Sequence, residues 1–248
     1  MARVLMPLPD RDFDVTEVSV PWRLLTNAGH EVVFATEKGE KPAADPLLLS
    51  GVIFGQLGAD PEPKRFYAEL ERDAAFGKPI TWGSIDPASF DALLLAGGHA
   101  KGMRQYLASS VLHEKVAAFW KLERPVAAIC HGVLVLARTH DPATGKSVLH
   151  DRETTCLPAY MERTAYFLTA WKLGGYYRTY PAYVEDEVRA ALRDPERQFV
   201  RGPITLTRRG SLDDDRGAMV VDDGRYLSAR WPGDAYLLAK RLIEKLRT

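Results

Sequence analysis

The chain has 248 residues, enough for one large α/β domain or for a domain carrying a cap, and its 46% apolar content is that of a globular core. Thirty-three Lys and Arg balance 33 Asp and Glu, and no stretch gathers the basic residues on one face. That excludes a phosphate-tracking surface and leaves nucleic acid outside the expected partners.

The N-terminal Met1-Ala-Arg-Val-Leu-Met-Pro-Leu-Pro9 is broken by two prolines, unlike the apolar stretch of a signal peptide. No apolar run approaches the roughly 18 residues of a membrane helix, so no membrane association is expected. Cys130 and Cys156 are the two cysteines; they make no disulfide framework, and a cytoplasmic setting follows.

Residues 4–6 read as a buried strand and Glu31–Thr36 as another, with an apolar-periodic helix between them ending at Gly29, a βαβ opening. Pro21 is expected near the start of that helix, because a proline in the first turn breaks no hydrogen bond. Glu17 then falls at or just before the helix N-terminus.

From residue 38 to about 87 the periodicity weakens and Gly, Pro and charged residues alternate around one amphipathic stretch at 65–76. This reads as an insertion or cap over the sheet edge within a single domain spanning 1–248. Residues 90–98 form a buried strand running into a glycine pair, 111–122 a helix and 125–129 a second strand. That order implies a parallel sheet with a right-handed crossover.

An apolar helix follows at 132–137, whereas 168–193 mixes aromatic, glycine and helical patterns and carries no assignment. The last strands are expected at 218–221 and 226–229, then a turn at Trp231-Pro-Gly-Asp234 and a terminal helix to Leu246. No internal repeat is evident.

A small-residue strand, a nucleophile-type residue and an immediate helix describe a nucleophile elbow, and Ala127-Ala-Ile-Cys-His-Gly132 has that form. A thiol at a helix N-terminus is favoured as thiolate, so Cys130 is expected to titrate below about 8.5. A free cysteine is more often a packing residue; the adjacent His131, the following Gly132 and the strand-to-helix switch favour chemistry here.

His131 could orient or deprotonate a bound group. In Ala96-Gly-Gly-His99, Gly97 and Gly98 allow backbone N–H groups to approach an oxyanion near Cys130, although a plain turn also explains them. Glu17 alone would be a dipole-stabilising surface carboxylate. Cys156 has no metal-ligand spacing to any partner and reads as structural; neither metal nor organic cofactor is expected.

Trp171, Tyr176, Tyr177 and Arg178 could cap the site or pack in the core. In Arg230-Trp-Pro-Gly-Asp-Ala235, a Pro-Gly turn with Asp234 as helix N-cap explains most of the sequence.

Together these pieces resemble the ThiJ/PfpI superfamily, whose fold is that of the class I glutamine amidotransferase domain, over nearly the whole chain. The resemblance lies in four places: Glu17-Val-Ser-Val-Pro21 with Ala28-Gly-His-Glu-Val-Val-Phe-Ala-Thr36, Leu95-Ala-Gly-Gly-His99, Ala128-Ile-Cys-His-Gly132, and Thr155-Cys-Leu-Pro-Ala-Tyr-Met-Glu162. It implies a flavodoxin-like three-layer α/β sandwich with a parallel central sheet and a nucleophile elbow.

It further implies that Glu17 is protonated and hydrogen-bonded to the Cys130 sulfur. Gly97, Gly98 and His99 would form part of the oxyanion and substrate site, and Glu162 would orient His131 as in the chaperone and glyoxalase III branch. Cys156 departs from that branch, which usually has Gly there, and Glu153 and Asp151 stand as alternative acids. The His-x-Glu motif that glutaminase domains carry far downstream of the cysteine is missing, since the last histidine is His150.

The function so implied is a glutathione-independent, cysteine-dependent glyoxalase III or deglycase-like activity on methylglyoxal or a related small α-oxoaldehyde, in an expected homodimer. An amidase or peptidase using Cys130, His131 and Glu162 is the alternative. A redox-sensing or holdase stress protein that turns over no substrate is a third reading.

Overall fold

The computed structural model describes residues 1–51, 57–205 and 207–247. A mostly parallel seven-stranded sheet is built from β1 (Arg3–Pro7), β3 (Glu31–Thr36), β5 (Ile80–Thr81), β6 (Ala92–Leu95), β7 (Val126–Ile129), β8 (Val220–Asp223) and β9 (Tyr226–Ala229), in the order β5-β3-β1-β6-β7-β9-β8. Only β8 and β9 pair antiparallel within it. β2 (Arg11–Phe13) and β4 (Ala43–Ala44) form a separate parallel pair.

Every residue of β6 and β7 is buried, as expected for parallel strands covered on both faces. The chain adds β3 and β5 on one side of β1, then crosses to place β6 and β7 on the other. The crevice at such a switch opens beyond the C-terminal strand ends, where the segments carrying Glu17, Gly97 and Cys130 all emerge.

Helices flank the sheet. Val15–Asn27 packs against Pro61–Leu70 and Ala235–Lys245, while Val133–Arg138 packs against Ser110–Trp120 and Val184–Ala191. Among the described residues no helix is long and apolar enough to cross a membrane.

The first helix corrects the expectation for Pro21. It begins at Val15, with Asp14 Oδ1 accepting from the Thr16 N–H at 2.7 Å and the Glu17 N–H at 3.0 Å, so Pro21 lies in the second turn and Glu17 in the first. The proline removes the i+4 donor of the Glu17 carbonyl. Burial of Val15, Val18, Val20, Leu24 and Leu25 on the same helix offsets that loss.

Apart from 52–56, which lie outside the described residues, the segment 38–87 carries β4, β5 and the helices Pro46–Ser50, Pro61–Leu70 and Ala74–Gly77. β5 extends the main sheet by pairing with β3. The segment 168–193, unassigned from sequence, holds the end of Ala159–Leu173 and all of Val184–Ala191. Its large apolar residues mislead because Leu168 and Trp171 are 61% and 71% exposed while Tyr177 is buried, so they do not mark one core face.

The strand expected at 218–221 is Val220–Asp223, because the Met219 N–H is taken by Asp234 Oδ1 at 2.9 Å and not by the ladder. Asp234 stands at the N-cap position of Ala235–Lys245, yet its side chain caps nothing. Instead its carboxylate receives Arg230 Nε and Nη2, each at 2.9 Å, with both side chains fully buried. Arg230 also donates to the carbonyls of Pro203 (2.9 Å) and Gly217 (3.1 Å), fastening the irregular segment between them to the sheet end.

Removing one partner of such a pair strands the other charge. Asp234→Asn is expected to cost about 3–5 kcal/mol of unfolding free energy, read from urea unfolding. A loss below about 1 kcal/mol, the level of an exposed pair, would show that the guanidinium finds its counter-charge elsewhere.

Candidate active site

Beyond β7 the chain turns at Cys130 with φ +57°, a left-handed conformation for a residue bearing Cβ. A 3-10 turn, Cys130–Gly132, then feeds Val133–Arg138. Close approach of neighbouring backbones holds this turn in place. A Cβ at Gly132 would lie 2.2 Å from the Leu95 carbonyl oxygen, and one at Gly97 would lie 2.7 Å from the His131 nitrogen and 2.9 Å from Glu17 Oε2.

Cys130 and His131 are each 1% exposed and Glu17 is 0% exposed. Glu17 Oε2 accepts the Gly97 N–H at 2.7 Å, while Oε1 has no hydrogen-bond partner among the described residues. Burial, then the Asp14 carboxylate, pushes the Glu17 carboxyl well above its ordinary range; the Gly97 N–H and the Cys130 thiol pull it back only in part. Glu17 is thereby biased toward its protonated form, and Oε1 is the oxygen left free to carry a proton.

His131 Nδ1 lies 3.4 Å from Cys130 Sγ. Its ring meets that of His99 edge-on at 4.7 Å, and His99 in turn meets Tyr177 at 4.8 Å. Burial, then His99 and Arg138, pushes His131 well below its ordinary range, and burial pushes His99 down to about 4. Both imidazoles are neutral at pH 7.

The thiol does not follow the expectation of a lowered pKa. Burial is the largest influence and pushes Cys130 up, and the Glu17 and Asp14 carboxylates add to it, while the His131 backbone N–H acts in the opposite sense. A helix terminus contributes about 0.3–1 kcal/mol, whereas removing an ion from water costs several kcal/mol. In this closed arrangement desolvation wins.

Gly98 N–H makes no hydrogen bond among the described residues, leaving a backbone donor beside the elbow. The position tolerates no side chain, since a Cβ there would lie 2.8 Å from the Asp12 carbonyl oxygen.

Glu162 is buried in the first turn of Ala159–Leu173, and its Oε2 accepts the Val184 N–H at 2.8 Å. No hydrogen bond ties it to His131 among the described residues, although its charge reaches the Cys130 thiol. Burial pushes it up to about 7, against the pull of the Val184 N–H. Asp151 and Glu153 are exposed, and Asp151 pairs with Arg193 at 2.8 Å; the structure does not bring either into the site. Cys156 is fully buried.

Tyr176 and Tyr177 come to the site through His99, Arg178 acts on Glu162 only at a distance, and Trp171 points to solvent. The sequence reading missed Asp14, whose carboxyl burial pushes up to about 6. It also missed Glu185, a buried carboxylate that accepts the Ala159 N–H at 2.9 Å and pairs with Arg201. Asp14 did carry a signal, because Asp14-x-x-Glu17 has the spacing of a capping box. Among the described residues no three His, Cys, Asp or Glu side chains converge as a metal site.

A doubly wound sheet with a cysteine on a strained strand-to-helix turn defines an α/β protein of nucleophile-elbow type. The family model described as ThiJ/PfpI family-like matches residues 8–203, and the chain belongs to the ThiJ/PfpI family. An uncharacterized protein of Schizosaccharomyces pombe is 28% identical over 250 residues, covering 97% of this chain and 82% of its own. A deglycase of Pyrococcus abyssi is 25% identical over 245 residues, covering 99% of each chain.

Among solved structures, glyoxalase III from Candida albicans superposes with a TM-score of 0.71 at 19% identity, over 98% of this chain and 97% of that one. Rapid Encystment Protein 24 kDa of Francisella tularensis gives 0.73 at 18% identity, over 99% of both. These two likenesses bear on the fold.

The raised pKa of Glu162 fixes the sign of a stability effect. A folded-state value above the ordinary one means that the folded chain binds the proton more tightly, so this contribution is complete below pH 4.5 and is lost as pH rises through about 7. Asp14 and Glu17 act in the same sense. Glu162→Gln keeps an acceptor for Val184, and its urea midpoint is expected to fall less between about pH 5 and about pH 7.5 than that of the unaltered protein. Parallel profiles would mean that Glu162 titrates at its ordinary value.

Proposed function

We propose that the protein is a cysteine-dependent, glutathione-independent glyoxalase III-type enzyme that converts methylglyoxal or a related small α-oxoaldehyde to a 2-hydroxy acid. The observation that carries this reading is the fully buried Glu17 beside the Cys130 thiol, with one carboxyl oxygen unpartnered among the described residues and its carboxyl pushed toward the protonated form by burial. An isomerisation needs a group that gives and takes a proton at carbon in a dry site. The relatives named deglycase and glyoxalase III support it.

Cys130 Sγ adds to the aldehyde carbon as its proton passes to neutral His131 Nδ1, 3.4 Å away. The carbonyl electron pair moves to oxygen, where the Gly98 and His131 N–H groups stabilise it until it is protonated to a hemithioacetal. Thiolate forms only with substrate present, which reconciles a thiol pKa raised by burial with nucleophilic attack.

Glu17, ionised after giving up its proton, removes hydrogen from the former aldehyde carbon, giving an enediol. Return of a proton to the neighbouring carbon leaves a 2-hydroxy thioester. Water cleaves the thioester, releasing the acid and restoring the thiol, so the net change is addition of one water with no external oxidant or reductant. An amidase acting through a Cys-His-acid relay is less well served, since Glu162 binds Val184 N–H and not His131.

Cys130→Ser should abolish formation of 2-hydroxy acid from methylglyoxal, followed by proton NMR, with the far-ultraviolet circular dichroism unchanged. Glu17→Gln should still show the covalent adduct by intact-protein mass but turn over roughly 10² to 10⁴ times more slowly. If the unaltered protein forms no hydroxy acid from small α-oxoaldehydes, the reading is wrong; near-normal turnover by Glu17→Gln transfers the proton-moving role to His131.

A further inference from the structure

Cys130, whose sulfur is proposed to attack substrate, is 1% exposed, so something must move before any reagent reaches it. The elbow is an unsuitable place for that movement. It is fixed by backbone approaches at Gly97 and Gly132 that leave no room for a methyl group, and β7 is paired on both sides, to β6 and β9.

Residues 174–183 are held differently. The segment begins at Gly174, with φ +55°, and Gly175; an added Cβ at either would meet nothing within 4 Å. Its internal backbone bonds are local, Tyr176 N–H to the Leu173 carbonyl at 3.3 Å and Arg178 N–H to the Gly175 carbonyl at 3.0 Å. Side chains make its ties to the body: Tyr176 OH donates to Asp45 Oδ2, Thr179 Oγ1 to the His99 carbonyl, Arg104 Nε to the Thr179 carbonyl at 2.9 Å, and Tyr180 packs on the core edge with the Arg138 guanidinium 4.6 Å over its ring. Segments fastened by a few side-chain bonds open at lower free energy than the sheet they cover.

The segment also stands over the site. Tyr177 packs on His99 at 4.8 Å, His99 on His131 at 4.7 Å, and His131 Nδ1 lies 3.4 Å from the sulfur. Lifting Tyr177 uncovers that column of rings from its outer end. Tyr176 OH is the tie that reaches across to a remote element, because Asp45 caps the helix Pro46–Ser50 through its other oxygen, which accepts the Leu47 N–H at 2.9 Å.

We propose that residues 174–183 form a strap that gates access to Cys130, and that the Tyr176–Asp45 hydrogen bond is its latch. The inference rests on Cys130 being the reactive group, but its test reads the thiol itself and needs no turnover. With the latch closed the sulfur is shielded from solvent; with it open, the strap swings from the Gly174–Gly175 end and carries Tyr177 off His99.

The test is the rate at which iodoacetamide alkylates Cys130 in the folded protein, followed by intact mass and located by peptide mapping. Tyr176→Phe keeps the ring and removes only the hydroxyl. It should raise the rate roughly 10- to 100-fold, as expected when an opening loses one hydrogen bond to a charged acceptor. Asp45→Asn retains the helix cap and should raise it in the same direction, with thermal unfolding unchanged in both.

Fully buried Cys156 is the internal control. Labelling there in Tyr176→Phe would report unfolding, and the comparison would then be read from Asp45→Asn alone. An unchanged rate in the folded variants overturns the latch, and alkylation of the unaltered protein as fast as a free thiol overturns the gate. A protein that shows the predicted acceleration but converts no α-oxoaldehyde keeps its gate and loses only the proposed reaction.

Discussion

The left-handed turn at Cys130 is possible because three chain segments approach more closely than side chains would permit. Gly132 lies under the Leu95 carbonyl, and Gly97 lies against both the His131 nitrogen and the Glu17 carboxyl. Parallel pairing of β6 with β7 sets the register in which Leu95 stands opposite Ala128, so the glycines follow the strand ends to the same edge. A thiol, an imidazole, a carboxyl and a free backbone N–H are thereby brought together on backbone supports.

That closeness has an electrostatic consequence. Asp14, Glu17, Cys130 and Glu162 are all pushed toward their neutral, protonated forms, and His99 and His131 toward their neutral, unprotonated ones. Burial is the first cause in every case. A dry site whose groups are all pushed toward neutrality has little charge to stabilise, and burial favours the proton-bearing forms of Glu17 and Cys130. The same dryness strengthens any charge that forms later on the substrate oxygen.

Local signals made much of this legible in the sequence. The strands at 4–6 and 31–36, the strand-to-helix switch at Cys130 and the Gly97–Gly98 pair are written in periodicity and small residues; the roles of Glu17 and Glu162 came from motif resemblance. What the sequence concealed was tertiary. Pro21 deceived because its cost is borne by burial of the rest of the helix, and Asp234 because a buried arginine four residues earlier claims its carboxylate. The raised thiol pKa was invisible for a related reason, since helix position shows in a sequence and complete burial of one sulfur does not.

Two irregular segments border the sheet end, and their anchoring differs in kind. The chain between Pro203 and Gly217 is fastened by Arg230, whose charge is matched in two places by Asp234 inside the protein. Releasing it would expose a fully buried ion pair, a change comparable to unfolding that side of the fold. The strap at 174–183 is fastened by two hydroxyls, by the Arg104 guanidinium on its edge and by Tyr180 packed under Arg138, with no buried ion pair among these ties. Where a closed site must open, movement is cheapest in the segment with no buried ion pair to break, and here that segment carries Tyr177, packed edge-on against His99 at the outer end of the column that leads to Cys130.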